Sequence, residues 1–100
     1  MINFALLGTG RIGKLHASII NDHPEASLKY VYDIDTSSAK KIAKKYSCEV
    51  VKTAKEAISS DQINAILIAS ATPSHTDYIS LGAECNKAIL CEKPIDLDIN

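Results

Sequence analysis

Three features of these 100 residues predict an α/β fold, a doubly wound parallel sheet with helices on both faces. Short apolar runs alternate with segments of helical periodicity, joined by connections of a few residues. The run Ala65-Ile66-Leu67-Ile68-Ala69 is apolar throughout, as a central parallel strand buried on both sides must be. The string Gly8-Thr9-Gly10-Arg11-Ile12-Gly13 stands between the first apolar run and the first helical segment, where such folds turn sharply from strand into helix.

The elements follow in order. Asn3–Leu7 reads as the first strand. The first helix begins near Arg11, with Ile12, Leu15, Ile19 and Ile20 predicted on its inward face. It stops around Asn21-Asp22-His23-Pro24, because Pro24 cannot continue a helix. Leu28–Asp33 reads as the second strand. A second helix over Ser37–Tyr46 places Ala39, Ile42, Ala43 and Tyr46 at i, i+3, i+4 and i+7, with Lys40, Lys41, Lys44 and Lys45 on a solvated face. A short third strand, Glu49–Val51, precedes Thr53-Ala54-Lys55-Glu56, a capping box that opens a short helix through Ile58. After the fourth strand, Ala65–Ala69, a second candidate capping box (Ser74-His75-Thr76-Asp77) opens a helix with Tyr78, Leu81, Gly82 and Cys85 facing inward. Ala88–Cys91 is the fifth strand. The chain stops at Asn100 in what reads as the start of another helix, with no sixth strand, so residues 1–100 are expected to be one domain, incomplete at its C-terminal end, and the front part of a longer protein.

Composition excludes several classes. The formal net charge is −1 with lysines spread along the chain, which argues against a nucleic-acid partner. Cys48, Cys85 and Cys91 are odd in number and lack Cys-x-x-Cys spacing, so neither a disulfide framework nor a metal site is expected. The longest apolar run is far too short to span a membrane, and Met1-Ile2-Asn3 leads straight into a strand without room for a cleavable signal. A cytoplasmic location is the expectation.

The glycine string alone is weak evidence, but its surroundings strengthen it. A strand precedes it, a helix follows it, and Asp33 closes the second strand twenty positions after Gly13. That is the dinucleotide-binding fingerprint of a Rossmann-type fold. Gly8 permits the turn, Gly10 lets the backbone approach a pyrophosphate, and Gly13 allows close helix packing. The first-turn N–H groups, from Arg11 and Ile12 onward, face the phosphates with the positive end of the helix dipole. Asp33 can accept hydrogen bonds from a ribose and would repel a 2′-phosphate, so NAD is expected over NADP.

Ligands of such sheets lie beyond the carboxyl ends of the strands. Ser70, Thr72 and His75 follow the fourth strand, and Glu92-Lys93-Pro94 follow the fifth. Ser70 and Thr72 offer hydroxyls to a ribose or nicotinamide, or serve only strand exit and helix entry. His75 contacts ligand or has a local partner. Lys93 can hydrogen-bond a reacting oxygen with Glu92 orienting it, or the two form a surface pair. His16 reads as a packed or locally bonded residue.

Three segments together resemble the N-terminal domain of the Gfo/Idh/MocA oxidoreductases. They are Ala5 to Ala17 (ALLGTGRIGKLHA), Ala71-Thr72-Pro73-Ser74-His75, and Cys91-Glu92-Lys93-Pro94-Ile95-Asp96-Leu97. The first and last are most similar to the inositol 2-dehydrogenases of that family, and Glu-Lys-Pro is the specific element. The resemblance implies NAD as cofactor, oxidation of a secondary alcohol of a polyol or sugar, Lys93 as the active-site lysine with a cis peptide to Pro94, and Asp33 as the ribose-binding acid. It also implies a second α/β domain supplying an Asp and a His, which these residues lack, and through which any homo-oligomer is expected to form. The alternative reading is a truncated dinucleotide-binding module without turnover.

Overall fold

The computed structural model describes residues 2–69 and 75–91. Nine elements alternate through them: β1 (Ile2–Leu7), α1 (Arg11–Asp22), β2 (Ala26–Tyr32), α2 (Thr36–Tyr46), β3 (Glu49–Val50), α3 (Ala54–Ser59), β4 (Ala65–Ile68), α4 (His75–Glu84) and β5 (Ala88–Cys91). The sheet is parallel in every described pair, and its strand order is β3-β2-β1-β4-β5. The chain winds outward from β1 to β3, then returns to the other side of β1 for β4 and β5. Crossovers of one hand must then place helices on opposite faces before and after the return.

The packing follows that rule. Alternate residues of β1 separate into two cores: Leu6 joins Ala17, Ile20, Leu28, Val31, Ala39, Ile42 and Leu67 under α1 and α2, while Ala5 and Leu7 join Ala54, Ala57, Ile58, Ile66 and Ile68 under α3. Tyr78 and Leu81 of α4, with Cys85 just past its end, pack against this second core, and Gly82 is buried on the same helix, as its sequence pattern predicts.

The inward face of α1 differs from the expected one. Its buried residues are Gly13, Ala17 and Ile20, whereas Leu15 and Ile19 are 56% and 54% exposed. Small residues win the contact because α1 lies close to the sheet. The α2 face is as predicted, with Ala39 and Ile42 buried, Ala43 and Tyr46 packed beside them, and the lysines exposed. Three basic residues, Lys14, Lys41 and Lys45, line a cleft of about 180 Å³ with Ile42 and Tyr46.

The α3 cap is close to the predicted box. Thr53 Oγ1 accepts from the Glu56 N–H at 3.1 Å, but Glu56 reaches back to the N–H of Lys52 rather than of Thr53, at 3.2 Å. Cys48 and Cys85 are free thiols, and burial pushes the Cys48 thiol up to about 11, so it stays protonated at neutral pH. Among the described residues no group of His, Cys, Asp or Glu could hold a metal ion, and no helix is long and apolar enough to cross a membrane.

Candidate functional site

Tyr32, Leu7, Ile68 and Cys91 form one register row across the sheet, each the last residue of its strand. The turn in the strand order lies between β1 and β4, so a crevice opens beyond their carboxyl ends. Gly8–Gly13, Asp33 and the exits toward Ser70 and Glu92 all begin at this row. Residues 70–74 and 92–100, with Ser70, Thr72, Glu92, Lys93 and Pro94, lie outside the described residues, and His75 begins α4.

The glycine loop is built by three different constraints. Gly8 has φ 107, in the left-handed half of the map where side chains are strained, and its N–H donates to the Tyr32 carbonyl at 2.8 Å. At Gly13 a Cβ would lie 2.1 Å from the Gly8 carbonyl oxygen, so the first turn of α1 rests directly on the loop backbone. Gly10 is unlike both. Its φ of −73 suits any residue and a Cβ there would meet nothing within 4 Å. Among the described residues nothing requires glycine at this position, which points outward to a ligand that approaches the backbone.

Gly10 is also the N-cap of α1, and among the described residues no side chain caps the helix there or places an acid in its first turn. By contrast α2 is capped by Asp35, which accepts from the N–H groups of Ser37 and Ser38 at 3.1 and 3.3 Å. The first-turn N–H groups of α1, with the positive end of its dipole, therefore stand ready for an anion beside exposed Gly10. Arg11 is exposed and Ile12 half-buried in the same turn.

Asp33 closes the loop from the side. Its Oδ2 accepts from the Thr9 N–H at 2.6 Å and from the Thr9 hydroxyl at 2.8 Å, and its Oδ1 accepts from the Asp35 N–H at 2.8 Å. Partial burial pushes the carboxyl up, but the N–H groups of Thr9 and Asp35 and the Thr9 hydroxyl outweigh it and hold the group below its ordinary value of 3.8. A depressed folded value means that the stabilisation is complete above the unfolded value and is lost as pH falls through the folded one. Acid denaturation should therefore show a loss below about pH 4 that Asp33→Asn lacks. Circular dichroism of both proteins between pH 2 and 7 checks this, and parallel curves would contradict it.

Two residues of this arrangement are not apparent from the motif. Thr9 is fully buried, and its hydroxyl lies 2.8 Å from the hydroxyl of Ser38, which itself donates to the Thr9 carbonyl at 3.0 Å. Thr9 occupies a variable position of the glycine string, and Ser38 reads in sequence as an ordinary residue of a helical first turn. The one usable signal was a hydroxyl in a loop that must be buried against the sheet.

Residues 2–100 match an oxidoreductase family described by its NAD-binding Rossmann fold, the Gfo/Idh/MocA family. The chain is 43% identical over 97 residues to an inositol 2-dehydrogenase of Rhizobium meliloti and 35% identical over 95 residues to one of Rubrobacter xylanophilus. Those alignments cover 97% and 94% of this chain but only 29% and 27% of the relatives. Among solved structures, a myo-inositol dehydrogenase from Corynebacterium glutamicum superposes with a TM-score of 0.89 at 38% identity, over 98% of this chain and 29% of the other. A scyllo-inositol dehydrogenase from Lactobacillus casei, with NAD(H) and scyllo-inositol bound, gives 0.87 at 27% identity, over 98% and 29%. The sheet order, the loop and these matches agree: the chain belongs to the Gfo/Idh/MocA oxidoreductase family, whose NAD-binding Rossmann fold it matches over residues 2–100.

Proposed function

We propose that this chain is the cofactor-holding part of an NAD-dependent dehydrogenase that oxidises a secondary alcohol of a cyclitol or sugar. The observation that carries the cofactor reading is the outward face of the loop: Gly10 has space that no described residue fills, beside a helix start with no described side-chain cap and an ionised Asp33. Gly10, Arg11, Ile12 and Gly13 hold the pyrophosphate through backbone N–H groups, Gly8 makes the turn that presents them, and Asp33 accepts from the adenosine ribose. Ser70, Thr72, His75 and Glu92 complete the cofactor crevice where β4 and β5 end. The nicotinamide, when bound, accepts a hydride from the carbinol carbon. Lys93 holds the reacting oxygen and lowers the pKa of the neighbouring group that takes its proton. The polyol class is supported by the inositol dehydrogenases among the relatives, one of them solved with scyllo-inositol.

Cofactor choice tests the reading. A 2′-phosphate about 4 Å from the Asp33 carboxylate would meet repulsion of a few kcal/mol where the site is partly dry. NADH should therefore bind at least about tenfold more tightly than NADPH, and Asp33→Ala should weaken NADH more than NADPH. Fluorescence titration of both proteins with both nucleotides measures it. Equal or tighter NADPH binding by the unaltered protein would show that Asp33 does not face the ribose.

A further inference from the structure

We infer that Ser38 is a positioning residue for the pyrophosphate: it fixes the Thr9–Gly10 peptide plane so that the Gly10 N–H faces the open side of the loop. The inference rests on the reading that this loop holds a dinucleotide. Across a trans peptide bond the carbonyl and the following N–H point in opposite directions, and no peptide among the described residues is cis. The Thr9 carbonyl accepts from Ser38 Oγ at 3.0 Å and is thereby drawn toward α2. The Gly10 N–H is then directed away from α2, on a residue that is exposed and has nothing within 4 Å of its Cβ position.

No other described contact does this. Thr9 sits between two peptide planes. Asp33 anchors the preceding one through the Thr9 N–H, at 2.6 Å, while the following plane is anchored by Ser38 alone. That second plane ends on a glycine, whose backbone rotates with least hindrance, so it needs an outside restraint most. The Thr9 side chain is fully buried, so water does not readily replace the missing hydroxyl.

The test uses fragments of the cofactor, read by calorimetry for NADH and ADP and by NMR for adenosine. Ser38→Ala should weaken NADH and ADP about three- to tenfold, the loss of one well-placed hydrogen bond, and leave adenosine within about twofold. Ser38→Thr, which keeps the hydroxyl, should bind all three like the unaltered protein. Should Ser38→Ala fold poorly, Ser38→Cys keeps the volume with a weak donor and should show the same selective loss. ADP binding unchanged in Ser38→Ala overturns the inference, and so does an equal loss of ADP and adenosine. Asp33→Ala separates the underlying reading: it should weaken adenosine. Adenosine binding unchanged there removes the ribose role of Asp33 and leaves Ser38 to its own ADP result. An unaltered protein that binds neither NADH nor ADP removes both.

Discussion

Turnover should fall about 10²- to 10⁴-fold when Lys93 is replaced by alanine, the range for removing a positioned acid–base contributor. The assay belongs in a chain of the relatives' full length, of which these residues span 29% and 27%. NADH affinity should change little, because the pyrophosphate and ribose are assigned to Gly8–Gly13 and Asp33. Lys93→Arg should also be poor, since a planar guanidinium reproduces neither the compact ammonium nor its capacity to release a proton. Steady-state kinetics with myo-inositol, beside NADH titration of each variant, make the measurement. Near-normal turnover in Lys93→Ala would return Lys93 to a surface pair with Glu92. So would a loss of NADH binding as severe as the loss of turnover.

Gly13→Ala and Gly10→Ala should part company, though both replace a glycine of one motif. At Gly13 the added carbon would lie 2.1 Å from the Gly8 carbonyl oxygen and 2.9 Å from its carbon, both backbone atoms that cannot rotate aside. Gly8 itself is pinned by its bond to Tyr32. Helix α1 must therefore lift off the loop, at a cost of about 3 kcal/mol, the upper end for overpacking. Gly10→Ala meets nothing and should leave unfolding unchanged, while its methyl group obstructs the pyrophosphate and weakens NADH. Urea denaturation and NADH titration of both variants provide the comparison. An unperturbed Gly13→Ala midpoint would mean that the helix does not rest on the loop. Wild-type NADH affinity in Gly10→Ala would mean that the open face is not the phosphate side.

Much of this architecture was legible because apolar runs, breakers and caps each act locally. Pro24 ends α1 within two residues of its observed limit, and Ala88–Cys91 is β5 to the residue. The face of α1 was misread for a physical reason. Periodicity weights bulk, so Leu15 and Ile19 draw attention, but a helix pressed onto a backbone turn selects Gly13 and Ala17 instead. Asp33 was legible from its spacing, whereas its bonds to Thr9 were not, since they depend on how the loop folds back over β2. Ser38 lies further out of reach: its partner is 29 positions away, and no local pattern joins them. Ser70, Thr72, Glu92 and Lys93, and the peptide before Pro94, lie outside the described residues.

The position of β1 at the middle of the sheet bears on how the chain is made. Its neighbours are β2, which follows it directly after α1, and β4, whose Ala65–Ile68 pair with Phe4–Leu7 from about sixty residues later. At synthesis rates of about 5–20 residues per second, one edge of β1 waits roughly 3–12 s for its partner. During that interval the side chains of Ala5, Leu6 and Leu7, buried in the finished sheet, have only half of their sheet contacts available. The nascent chain thus carries an unpaired apolar edge on β1 until β4 clears the ribosome, and that edge is where a holding chaperone or a stray strand would bind.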